Sequence, residues 1–230
     1  MRRSPFVVAL LSLAAASADA QSCIGLPATG TAYAAIGFEG TDGRMGTSHA
    51  LALHGARLGV QLERERYTRS GGSDYTWDAQ GTWEVGNAPG ERAASLCAVG
   101  GGNLANSRAW ATFTDEVNGD LNARHRRVRA PVGIAFGRTF SLVPDEPGAL
   151  TVTPFVQPML LVQRERLWAS DMPELERTRT RGAFAGTVGV GIAMRPFVLR
   201  TTVSYATLPE YSLAREHNWM VLSVQLGAGF

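Results

Sequence analysis

The stretch from Trp219 to Phe230 reads WMVLSVQLGAGF. Met220, Leu222, Val224, Leu226 and Phe230 share one parity, interrupted only by the small Ala228, while Val221, Ser223, Gln225, Gly227 and Gly229 share the other. A β-strand turns alternate side chains to opposite faces, so this segment has one oily face and one small or polar face. Two environments suit such a strand. Its oily face can pack on a second sheet in water, or it can meet lipid while the polar face lines the inside of a closed barrel.

The same rhythm recurs along the chain, punctuated by Gly, Pro, Asp and Asn clusters, and no segment has helical periodicity. Thr31–Glu39 alternates on Ala34, Ile36 and Phe38, and Ser48–His54 on Leu51 and Leu53. From Leu58 the apolar phase switches parity, and a continuous strand would keep it, so a tight turn at Gly55 or a bulge belongs there. Arg57–Arg69 follows, then the regular strand Tyr75–Val85. Ser95–Leu104 holds three consecutive glycines, and a polar stretch runs from there to Arg126, with Ala109–Thr114 a candidate extension. The sixth strand runs from Arg127 to Phe140 and the seventh from Leu150 to Val162, where Pro154 and Pro158 call for bulges. The eighth spans Ala183–Met194 and the ninth Phe197–Tyr205. With the terminal segment the reading gives about ten strands, or eight if the second and fifth are not strands. Turns after the second, sixth and eighth are short, and loops after the fifth, seventh and ninth are long and polar.

The first residues set the compartment. Met1-Arg2-Arg3, an apolar run from Phe6 to Ala16 and the small residues Ala18-Asp19-Ala20 predict a signal peptide over 1–20, leaving 21–230 as one domain. The apolar run is about eleven residues, short of the roughly twenty that a spanning helix needs. Cys23 lacks the large aliphatic residue three places upstream that a lipoprotein site requires. Cys23 and Cys97, in an exported chain, are a candidate disulfide or two separate thiols. All 22 basic residues are arginine, the formal net charge is only +2, and no bulk basic signal for nucleic acid is present.

The polar face separates the two environments. It carries Glu63, Glu65, Asp78, Glu84, Arg127, Arg129 and Arg200, which would be costly in a sandwich core unless paired, although a soluble sheet could also turn them to solvent and bury the aliphatics. Inside a barrel they can face one another and water, while the oily face meets lipid, where an unpaired sheet edge is not tolerated. The expected fold is an all-β, antiparallel up-and-down transmembrane β-barrel with those seven charges in its lumen.

With its leader segment, strand meander and final strand closing on Phe230, the chain resembles the small bacterial outer-membrane β-barrel proteins. The resemblance implies the outer membrane of a Gram-negative cell. It also implies contact with outer-membrane lipid and lipopolysaccharide, and an assembly signal read by the barrel-assembly machinery at Leu222, Val224, Leu226 and Phe230. The resemblance bears on location more than on activity; the expected protein is a monomer without cofactor, its charged lumen filled, in a structural or adhesin-like role. A narrow porin-like channel is one alternative, and a soluble exported β-sandwich or barrel binding protein is another.

Catalysis is not expected. His217 beside Glu216, with Asp171 and Glu174 nearby, resembles the rim of an outer-membrane protease but matches no local motif. His49, His54 and His125 have no partner motif, and neither metal-ligand spacing nor a phosphate loop is present. Arg177, Arg179 and Arg181 are a candidate rim for lipopolysaccharide phosphates, weighed against pairing with nearby carboxylates.

Overall fold

In the computed structural model, residues 23–26, 32–41, 44–54, 57–69, 72–87, 94–109, 123–142, 150–169, 172–208 and 219–229 are described. The expected leader segment and Phe230 lie outside them. The strands are β1 (Ala32–Thr41), β2 (Arg44–His54), β3 (Leu58–Arg69), β4 (Gly72–Asn87), β5 (Ala94–Ala109) and β6 (Ala123–Arg138). After the two-residue β7 (Phe140–Ser141) come β8 (Thr151–Ala169), β9 (Met172–Met194), β10 (Phe197–Ala206) and β11 (Trp219–Gly229). Neighbours pair antiparallel in chain order, β11 pairs back onto β1, and β6 pairs with β8 past the short β7. The ten long strands therefore close into an up-and-down barrel with no free edge at mid-height.

The alternation legible in the sequence is the alternation of the wall. Ile36 and Phe38 on β1, Val132 and Ile134 on β6, Phe184 on β9 and Leu226 on β11 face outward and are exposed. Ser48, Gln61, Arg129, Gln157, Arg200 and Gln225 face inward and are buried. β2 ends at His54 and β3 begins at Leu58, so the parity changes between two strands; Gly55, where a turn was expected, lies outside the described residues.

Three expectations need correcting. β5 continues to Ala109 and β6 begins at Ala123, so much of the expected polar stretch is strand. β8 and β9 continue to Ala169 and from Met172, so the long loop expected after the seventh strand is a tight hairpin. Arginine, glutamate and threonine occupy both faces there, which erases the apolar alternation while leaving the backbone ladder intact. The prolines of β8 cause no shift against β9, where Pro154 opposes Val190 and Pro158 opposes Gly186. On the other side, the β6–β8 ladder skips the pairs around Ile134–Ala135 and Gln157–Pro158, which spares Pro158 the donor it lacks. The bulges sit instead at Glu84/Gly86 and Leu167/Ala169. The three glycines of β5 follow the same logic, because its ladder with β6 breaks between Gly100 and Asn103, beside Pro131.

Among the described residues, β9 pairs with β10 from Ala185 to Met194 and with β8 from Met172 to Ala193. Residues 176–180 are exposed on both faces.

Candidate functional site

The interior has two storeys. At the end where the N-terminal segment enters, Cys23, Ile24 and Leu26 are fully buried. Ile24 and Leu26 pack on Tyr33, Ala35, Ala50, Ala52, Ala193 and Val198. Inward alanines on β1, β2 and β9 leave the space that this segment fills. Cys23 is disulfide-bonded to Cys97 of β5, with Cα atoms 6.2 Å apart. Gln157 Nε2 donates to the Cys23 carbonyl at 2.9 Å. Gly25 adopts φ +73° beneath the Phe155 ring, at a point where a Cβ would lie 2.2 Å from the ring. That combination requires glycine. Residues 23–26 form an apolar plug packed against the inner wall at this end of the barrel.

Above the plug lies a polar storey around a cavity of about 150 Å³, room for several waters. Three carboxylates face three guanidiniums through amide side chains. Asn103 Nδ2 donates to Asp78 at 3.3 Å, while Asn103 Oδ1 accepts from Arg127 at 3.1 Å. Gln163 donates to Glu165 and accepts from Arg129 Nε. Gln225 donates to Glu63 and accepts from Arg200, the latter at 3.4 Å. An amide has one donor end and one acceptor end, so each lies with nitrogen toward the carboxylate and oxygen toward the guanidinium. These relays link β3 to β10 through β11, β4 to β6 through β5, and β6 to its neighbour β8. A further contact, Gln80 to Gln157 at 3.4 Å, crosses the lumen between β4 and β8. The Arg200 guanidinium also stacks 5.3 Å from the Phe155 ring, joining the polar storey to the plug.

The seven expected lumen charges all face inward. Glu84, Arg127, Arg129 and Arg200 are buried, and Glu63, Glu65 and Asp78 are half-buried. Glu39 and Glu165 join them, two carboxylates missed because Glu39 ends its strand and Glu165 sits in a stretch charged on both faces. The plug was missed too, although the run of inward alanines marked the space for it.

Leu222, Val224 and Leu226 face outward on β11. Arg177, Arg179 and Arg181 have the inward parity of the β8–β9 pair, opposite Leu167, Glu165 and Gln163, and so do not lie on the outer face of the wall. Glu174 lies within β9, while His217, Glu216 and Asp171 fall outside the described residues. His49 is exposed, His54 is buried, and His125 is buried with Nε2 3.7 Å from Glu165. Among the described residues no cluster of His, Cys, Asp and Glu is placed to hold a metal ion. No protein-family model matches this chain, and a search of curated proteins finds no match.

Proposed function

We infer that this chain is an integral, monomeric outer-membrane barrel with a filled lumen, in a structural or surface-interaction role, with no catalytic step. The observation that carries the reading is the sidedness of the wall: aliphatic and aromatic side chains outside, charges and amides inside. Phe38 at 64% and Phe184 at 70% exposure would be costly in water, as would the continuous belt of which they are part. The outward apolar runs, such as Val128–Phe136 on β6 and Val152–Val162 on β8, are about ten residues long. That matches the 9–11 residues of a tilted strand crossing a bilayer. Trp83 and Phe197 toward the plug end, with Phe38 and Trp77 toward the other, suit interfacial girdles.

A filled lumen favours a scaffold over a pore, since the plug and the bridging amides occupy it. The narrow channel is kept as a second reading because of the polar cavity above the plug. Cell fractionation with gels run with and without boiling tests the first claim. The protein should follow the outer membrane and change mobility when unfolded. A chain that stays monodisperse in buffer without detergent would refute the reading. Planar-bilayer recordings separate the two roles, and the scaffold predicts no steady conductance.

A further inference from the structure

Three arginines on the outer face of the β6–β8 pair have no charge partner among the described residues. Arg124, Arg126 and Arg164 are exposed, and their parity is that of the outward Val128 and Val162. The register puts Arg126 directly opposite Arg166, Arg124 opposite Trp168, and Arg164 opposite Val128. On the flanking strands, Asn106 lies opposite Arg126, Thr180 opposite Arg164 and Thr178 opposite Arg166. Only Arg166 is answered, by Glu176 at 2.8 Å. Arg126 therefore faces a like charge directly across the strand pair, which is destabilising, and Glu176 offsets only the Arg166 side. Arg124 and Arg164 add two more exposed guanidiniums to the same face, a concentration of positive charge suited to an anion.

The height of the patch identifies that anion. On both strands the arginines begin where the outward aliphatic run stops: Val162 is followed by Arg164 on β8, and Val128 is preceded by Arg126 on β6. Trp168 borders them, with the Arg166 guanidinium 5.4 Å from its ring. Guanidinium forks bind phosphate oxygens two at a time, and a phosphate carried on a lipid arrives at this level, beside the end of the hydrocarbon. Resting on the membrane reading above, we propose that Arg124, Arg126 and Arg164 bind the phosphate groups of a phosphorylated glycolipid in the adjoining leaflet. The site differs from the Arg177, Arg179 and Arg181 series, which stands on the other face of the sheet.

The test uses the full mature chain, with and without Arg124→Gln, Arg126→Gln and Arg164→Gln, refolded into phosphatidylcholine vesicles. Insertion is scored by gel mobility without boiling. Retention of bisphosphorylated lipid A is compared with that of the same lipid stripped of phosphate. The wild type should favour the phosphorylated form by about tenfold or more. The triple variant should lose that preference while keeping its folded mobility, and an Arg177→Gln, Arg179→Gln variant should keep both. Should the triple variant fail to fold, Arg126→Gln alone should lower the preference about threefold. Equal preference in wild type and variant overturns the proposal, as does displacement of the lipid by millimolar inorganic phosphate. A preference that emerges only after neutralising Asp115, Glu116 and Asp120 also overturns it, because the chain's own carboxylates would then hold the arginines. If the wild type does not enter vesicles at all, the membrane reading fails first. If it inserts and only the lipid preference is missing, this inference alone fails.

Discussion

At the scale of single residues, Gln225 does what neither an aliphatic nor a charged side chain could. Its nitrogen serves Glu63 and its oxygen serves Arg200, so two charges from different strands are satisfied at once. Gln225→Leu keeps the bulk but leaves both charges short of a partner, at a cost of about 2–3 kcal/mol. The temperature at which the folded gel band disappears should fall accordingly; an unchanged midpoint would mean that water takes over the amide's role. Gly25 makes a second case, since its left-handed φ and the Phe155 ring both exclude a side chain. Gly25→Ala should destabilise by more than about 1 kcal/mol, read by the same melting assay. Neither role is written in the sequence around the residue. Gln225 is visible there as an inward polar position, but its partners come from β3 and β10, far away along the chain.

At the scale of the strand, the lipid-facing run is the informative unit. Val132 lies near mid-height on β6, exposed and flanked on the same face by Ala130 and Ile134. Val132→Arg should cost about 2–4 kcal/mol in a bilayer and lower the yield of inserted barrel. The same change on a water-facing wall would be nearly silent, so the vesicle insertion yield discriminates between the two settings. Strand existence was legible because alternation persists wherever one face meets a different medium from the other. Strand ends were not. From Arg164 to Arg181 the chain is charged on both sides, and the hydrogen-bond ladders of β8 with β6 and β9 show that the strands go on.

For the whole molecule, closure and plugging are separate devices. The ring is closed by the β1–β11 and β6–β8 ladders, whereas the plug is held by packing and by the Cys23–Cys97 bond, 74 residues apart in sequence. A Cys23→Ser, Cys97→Ser variant should still form the barrel and show the folded gel band. It should lose stability on the order of 4 kcal/mol in the chain-entropy picture. Its freed N-terminal segment should raise bilayer conductance above the silent wild type, and a variant as silent as the wild type would show that packing alone holds the plug.

Strand alternation, the parity of the seven lumen charges and the outward face of the last strand could all be read directly from the order of residues. Those are properties of neighbours along one strand, where side chains two apart share a side. The position of Cys23–Leu26 inside one end, the amides that bridge particular charges and the opposition of Arg126 to Arg166 emerge from the folded barrel. The first of these and the Gln225–Glu63 contact depend on closing the ring through β1 and β11, and the others on the register between neighbouring strands, which no pattern within one strand specifies.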